Sequence, residues 1–308
     1  MTTLEFFLAG TLSGATVFLL AALGELVAEK SGMLNLSVEG MMAVAAATGF
    51  VVTYETGSHL LGFAVAGLAG VITSLIFAVV TITFLANQVA TGLAVGILGV
   101  GLSALIGREH ESLTITSLQP HSIPYLSELP FVGPALFQHN IVVYLTIILA
   151  IVIGFCFKHT KLGLAIRSVG ENPHAAQSLG YPVRFIRYGA VAFGGLLAGF
   201  AGAYASTVYT PLWADGMIAG RGWIAIALVV FGTWKSGRIV MGAYLFGMVS
   251  LGELIVKSIG IDLPSQLLSS LPYIITIIVL AIISSDAVRM RLYAPFSLGE
   301  NYNDNDSH

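Results

Sequence analysis

Residues 60–85 read LLGFAVAGLAGVITSLIFAVVTITFL, 26 consecutive positions without one Asp, Glu, Lys or Arg. The hydrocarbon core of a bilayer is about 30 Å thick and takes about 20 apolar residues of α-helix, so this stretch is long enough to cross one. It is not isolated. Working outward in both directions, apolar segments recur at Phe6–Leu26, Glu39–Val52, Val89–Ile106, Asn140–Phe157, Tyr188–Tyr209, Gly222–Phe231, Ile239–Val256 and Leu271–Ile283. Together with Leu60–Leu85 they predict an all-α fold, a polytopic transmembrane bundle of about nine helices. The composition agrees: 56% of the 308 residues are hydrophobic and 9% charged, against about 25% charged in a soluble domain.

The 35 glycines fit a membrane bundle, where small residues let helices approach closely. Gly92/Gly96 and Gly195/Gly199 are four apart and read as helix-packing steps. The segment Gly222–Phe231 is too short for a full span, and short glycine-flanked segments are where transporters break helices to line a pathway. A net charge of -3 with no Lys/Arg block argues against a nucleic-acid partner. Cys156 is the one cysteine, which excludes internal disulfides and disfavours a cysteine-based metal site. Met1–Gly10 lacks the basic flank of a cleaved signal and reads as the start of the first span.

Basic residues orient the chain, because Lys and Arg in short loops stay in the cytoplasm. The densest group, Lys158, Lys161, Arg167, Arg184 and Arg187, falls in loop 158–187. Placing that loop inside also puts Lys30, Lys235, Arg238, Arg289 and Arg291 inside. The expectation is an external N-terminus, a cytoplasmic C-terminus and a multi-pass protein of the bacterial inner membrane, in one domain over residues 1–292. Loop 108–139, with Pro120, Pro124, Pro130 and Pro134, is expected to lie outside as irregular structure. The polar tail 293–308 is expected to be disordered.

Loop 158–187 contains KLGLAIRSVGENPHAAQSLGYPVR (161–184). Asn172 is a favoured N-cap, and Pro173 suits the first helical position, where no amide donor is needed. Ala175, Ala176 and Leu179 follow at helical spacing, and Gly180 can end the helix with Pro182 beyond. The spacing predicts a short helix across the cytoplasmic face. By itself it is either a connector or a lever for a soluble partner.

This loop resembles the coupling segment of ATP-binding-cassette (ABC) importer permeases for branched-chain amino acids, simple sugars and nucleosides, at Arg167, Gly170, Glu171, Asn172, Pro173, Ala175, Ala176 and Gly180. ALGELVAEKSGMLNLSVEGMM (22–42), ANQVATGL (86–93), AGRGWIAIA (219–227), FGTW (231–234) and LPYIIT (271–276) are similar to the nucleoside and simple-sugar branch. Lys30 replaces a usual arginine and Ser37 a usual glycine. The resemblance implies a type II importer permease fold. It also implies a separate ATPase carrying ATP and Mg, a second permease chain (more readily a related one than a copy), and an extracytoplasmic substrate-binding lipoprotein. Nucleosides or purine-like compounds are the implied solutes, with simple sugars second. The residues agree that ATP acts elsewhere: Lys235-Ser236 follows Trp234 rather than glycine, so no phosphate-cradling loop is present.

Polar groups at membrane depth cost on the order of 3 kcal/mol and mark pathways or partners. Asn35, Ser37 and Glu39 stand at the start of the second segment, Asn87 and Gln88 at the start of the fourth; each group either caps its helix or lines the solute path. Arg221, between two glycines, either meets the binding protein or pairs with Asp215. Glu253 and Lys257 are spaced for a salt bridge. A proton-coupled transporter using Glu25, Glu39 or Glu253 is the competing reading. No catalytic pairing or metal-ligand spacing appears within the spans, so neither an enzyme nor a metal site is expected.

Overall fold

The computed structural model describes residues 3–122, 124, 127, 133, 136–258, 270, 271, 274, 277, 278, 281 and 294–303. Helices dominate them: α1 (Thr3–Lys30), α2 (Val38–Thr56), α3 (His59–Ala78), α4 (Gln88–Gly107), α5 (Ile141–His159), α6 (Lys161–Glu171), α7 (Pro173–Ser178), α8 (Val183–Tyr204), α9 (Arg221–Phe231) and α10 (Ser236–Ser258). Eight of the nine expected spans coincide with α1–α5 and α8–α10. The ninth, Leu271–Ile283, falls largely outside the described residues, as do the Glu253 and Lys257 side chains. Among the described residues, five helices are long and apolar enough to cross a bilayer whole, so the chain is a multi-pass membrane protein. Loop 161–184 holds one helix more than expected, α6, because Thr160 Oγ1 accepts the Gly163 amide and starts it.

Local chemistry sets most helix starts. Ser58, Asn87, Asn140, Thr160 and Asn172 each accept a backbone amide three residues on, at the heads of α3 to α7. These caps satisfy donors that have no partner within the helix. α3 and α8 both end in a wider π turn, Val79–Thr83 and Ala205–Tyr209.

α1, α2 and α8 form the centre. α8 lies against α1, α2 and α3, while α10 and α9 flank α1, and α4 flanks α2. Every residue from Val38 to Ala47 of α2 is buried, as expected of a helix that is apolar on all sides. The glycine steps work as packing surfaces. A methyl on Gly70 of α3 would run into the Gly195 carbonyl and Gly199 of α8, and one on Gly40 of α2 would meet Gly96 of α4.

Beyond α4 the chain makes one 3-10 turn (Arg108–His110), a bridge from Thr114 to Leu212, and two-residue strands, His121–Ser122 antiparallel to Gln138–His139. Most of 123–135 lies outside the described residues.

The tail corrects an expectation. Residues 294–303 are packed, with Ser297 and Tyr302 buried at 1% and 3% exposure. Helix breaks leave carbonyls without intrahelical partners, and the polar tail supplies the donors they lack. Residues 304–308 lie outside the described residues.

Candidate solute pathway and coupling face

α2 and α9 both begin half-way along the bundle. Residues 31–37 climb from the end of α1 past Gly92 of α4, and α2 starts with Gly40 lodged between Gly96 and Gly99, near the middle of α4. From the far side the chain passes Gly107 at the end of α4, where Trp213 packs, and descends to Gly220. α9 starts there and runs only 11 residues, about 16 Å. The sequence pattern thus marked a true half-span.

Glu39 joins the two starts. Its carboxylate accepts the Gly220 amide at 2.6 Å and the Gly222 amide at 2.7 Å. Gly220 sits at φ +82° and has no side chain to cap α9, so a residue 181 positions away supplies the cap. Negative charge at a helix N-terminus is favourable. A Cβ on Gly222 would lie 2.5 Å from the Glu39 backbone, which explains the glycine.

Beside this junction lies a cavity of about 240 Å³, lined by Glu39, Val100, Ser103, Trp213, Met217 and Trp223 among others. It offers a carboxylate already engaged by amides, a hydroxyl and two indoles. Trp223 is 41% exposed. A cleft of about 570 Å³ at the α2–α3 turn is lined by Thr53, Tyr54, His59, Thr116, Ser117 and Gln119 among others. Two others, about 620 and 590 Å³, lie between α5 and α8. Their linings are almost wholly aliphatic and aromatic, with nothing to orient a hydroxyl-rich solute.

The other candidate pathway residues have structural partners. Asn35 Oδ1 accepts the Ser37 amide at 3.1 Å and the Ser37 hydroxyl, while the Asn35 amide donates to Glu25 Oε1 at 3.1 Å. Ser37 occupies the N-cap position of α2 but makes no side-chain cap bond. Asn87 caps α4 through the Ala90 amide at 2.9 Å. Gln88 is 2% exposed; its Oε1 accepts the Leu34 amide at 2.8 Å and its Nε2 donates to the Glu300 carbonyl at 3.1 Å. Arg221 turns to the Tyr209 ring, 5.8 Å away, and lies within electrostatic reach of Glu39, whereas Asp215 is exposed.

At the opposite end, α7 forms as its sequence predicts. Asn172 caps it through the Ala175 amide at 2.9 Å while its own amide closes α6 on the Ser168 carbonyl at 3.0 Å. Gly180 ends it at φ +87°. The candidate coupling residues divide by burial. Arg167, Glu171, Asn172, Ala175 and Gly180 are exposed, but Gly170, Pro173 and Ala176 face inward. Ala176 packs with Val169, Val183 and Tyr302. The outward face of α7 is therefore His174, Ala175, Gln177 and Ser178, continued by Leu179, which is 77% exposed.

With this geometry in place, the chain can be compared with known proteins. The family model described as "Branched-chain amino acid transport system / permease component" matches residues 7–281. The chain belongs to this permease family. The permease is 40% identical to a putative glucose ABC transporter permease of Haloferax volcanii, over 95% of this chain and 96% of the relative. It is 34% identical to a guanosine ABC transporter permease of Bacillus subtilis (88% and 89% covered) and 30% identical to a nucleoside ABC transporter permease of Lactococcus lactis (97% of each). No solved structure matches.

Sequence reasoning missed Glu29, Trp234, Ser103, Trp223 and the tail. Glu29 is fully buried on α1 and accepts the Trp234 indole N–H from beyond the end of α9. Two carboxylates four apart in an apolar run, Glu25 and Glu29, were the available signal.

Proposed function

We propose that this permease is one half of the membrane pathway of an ATP-driven importer for nucleosides and purine-like compounds. The observation that carries the reading is the cavity where α2 and the 11-residue α9 both begin half-way along the bundle. Indole faces suit a flat base, and the Ser103 oxygen, whose own proton goes to the Val100 carbonyl at 2.7 Å, can accept from a ribose hydroxyl. Because Glu39 already occupies the α9 N-terminus, the site favours uncharged solutes over anions. At about 240 Å³ the cavity is smaller than the 300–1,000 Å³ of a complete ligand site, which supports a second permease chain closing the other side.

Orientation follows from charge. Arg167, Glu171 and Lys235 each come within electrostatic reach of Lys30, and Lys158, Lys161 and Arg184 lie in the same loop as Arg167. Positive residues gathered at one face support placing α6 and α7 in the cytoplasm, with the N-terminus outside and the C-terminus inside. A separate ATPase holding ATP and Mg would dock on the exposed face of α7, and a substrate-binding lipoprotein would deliver solute from outside. Differential affinity of the motor's ATP for two permease arrangements then biases alternating access.

The 40% identity to a putative glucose permease favours simple sugars as the second reading. Uptake of radiolabelled guanosine and of glucose by cells expressing the transporter, with and without its ATPase, separates the readings. Guanosine uptake that needs the ATPase is expected, and it should fall at least tenfold in Ala175→Glu and Leu179→Glu. Glucose uptake alone would transfer the assignment to sugars. Uptake that survives loss of the ATPase but collapses with the proton gradient would overturn the importer reading.

A further inference from the structure

Residues 294–303 touch three breaks in the bundle at the α6–α7 end. The Ser297 amide and hydroxyl both donate to the Gly170 carbonyl, at 3.0 and 2.7 Å, where α6 ends. The Gly299 amide donates to the Gly32 carbonyl at 3.1 Å, in the α1–α2 break. Asn301 Nδ2 donates to the Leu85 carbonyl in the α3–α4 break. The Glu300 carbonyl accepts from Gln88 Nε2 and from Arg187 Nη1, both at 3.1 Å. Tyr302 packs with Ala176 of α7 and meets the His174 ring at a tilt of 57°, centroids 5.1 Å apart, with the Arg187 guanidinium over its face.

These contacts form one continuous path. It runs from α7 through Tyr302 to the strap, and through Gly299–Gly32 and Glu300–Gln88–Leu34 into the α1–α2 break. Five residues further on stands Glu39, which holds the α9 start and lines the cavity. α7 itself is a six-residue helix whose buried residues are Pro173 and Ala176, and Ala176 meets Tyr302 together with Val169 of α6 and Val183 of α8, so Tyr302 is one of its attachments to the bundle.

We propose that residues 294–303 are a transmission strap, in which Tyr302, Ser297 and Glu300 are positioning residues that make α7 and the α1–α2 break move as one body. The proposal rests on the reading of α7 as the ATPase-docking element. A motor pushing α7 then shifts Leu34–Glu39, and with them the α9 N-terminus, instead of bending α7 alone.

The test uses the assembled transporter in liposomes, scoring guanosine taken up per phosphate released. Tyr302→Ala should leave ATP hydrolysis and subunit association in place and lower uptake per ATP about tenfold, within the 5–150-fold span of allosteric couplings. It should also speed hydrogen exchange of the Met33–Ser37 amides about tenfold, a readout that needs no ATPase. Unchanged uptake per ATP together with unchanged exchange overturns the proposal. A second variant guards against misfolding. An ideal Cβ on Gly299 lies 3.9 Å from Leu34 Cβ, inside the 3.5–4.5 Å range of disulfides; the left-handed φ of +80° strains any side chain there, so the reduced double-cysteine chain is the reference for the oxidised one. In a Cys156→Ser background, oxidised Leu34→Cys/Gly299→Cys should transport within twofold of its reduced form and should restore the coupling lost in Ser297→Ala. Arrest on oxidation, reversed by reductant, would show that the strap must release, and would refute the proposal. Failure of the docking reading looks different: the parent chain itself would show no ATP-dependent uptake.

Discussion

Replacing Glu39 by alanine should detach the head of α9 from α2. In the parent, the half-buried Gly220 amide and the buried Gly222 amide end on its carboxylate at 2.6 and 2.7 Å. Each donor left without an acceptor costs about 1–3 kcal/mol, and loss of the charge at the helix end adds about 0.3–1 kcal/mol. The sum is about 2–7 kcal/mol. The adjoining cavity admits water to the freed amides, which favours the lower half, about 2–4 kcal/mol by these same unit costs. Glu39→Gln keeps one carbonyl oxygen, so about half of the loss is expected. Unfolding titrations with SDS in mixed micelles would measure both, alongside Glu55→Ala, an exposed carboxylate facing only His110, which should stay within about 0.5 kcal/mol of the parent. If Glu39→Ala also stays within that margin, the carboxylate does not hold α9 and the account of the junction is wrong.

Three further outcomes follow from the packing. Asn172→Ala removes the cap of α7 and should weaken that helix by about 1 kcal/mol, seen as faster hydrogen exchange over 173–178 with global stability nearly unchanged. Gly70→Ala drives a methyl into the Gly195 carbonyl and should destabilise by about 1–3 kcal/mol, whereas Gly101→Ala, with open space around its Cβ, should be neutral in the same thermal assay. Trp234→Phe leaves the buried Glu29 carboxylate without its indole donor and should cost about 1–3 kcal/mol; adding Glu29→Gln should recover part of that loss, a non-additivity that independent sites would not show.

What could be read from sequence was local. Asn87, Asn172 and Gly180 act within three or four residues of themselves, so cap and terminator appear in one short window. The spans were legible for the same reason, since hydropathy is summed along the chain. Glu39 was legible as a polar group at depth but not as the cap of α9, because its partners lie 181 and 183 residues away and glycines give no side-chain signal. Gln88 misled in the same fashion: an amide at the head of a helix suggests a cap or a pathway, and only the fold reveals a clamp between Leu34 and Glu300. The tail failed for a different reason. Its order comes from backbone donors meeting carbonyls stranded at three helix breaks, and composition does not register such vacancies. Tyr302 and Gly299, an aromatic and a left-handed residue at φ +80° within an otherwise polar stretch, were the hint.

The strap also bears on biosynthesis. The Gly32 carbonyl finds its donor only when Gly299 has been made, about 270 residues later, which at 5–20 residues per second is on the order of 10–50 s of translation. Until then the breaks between α1 and α2 and between α3 and α4 lack the donors that Gly299 and Asn301 supply, and the first loops wait on residues made far later. A chain cut before residue 294 would keep α1–α10 yet leave the Gly32, Leu85 and Gly170 carbonyls without the donors that the strap supplies.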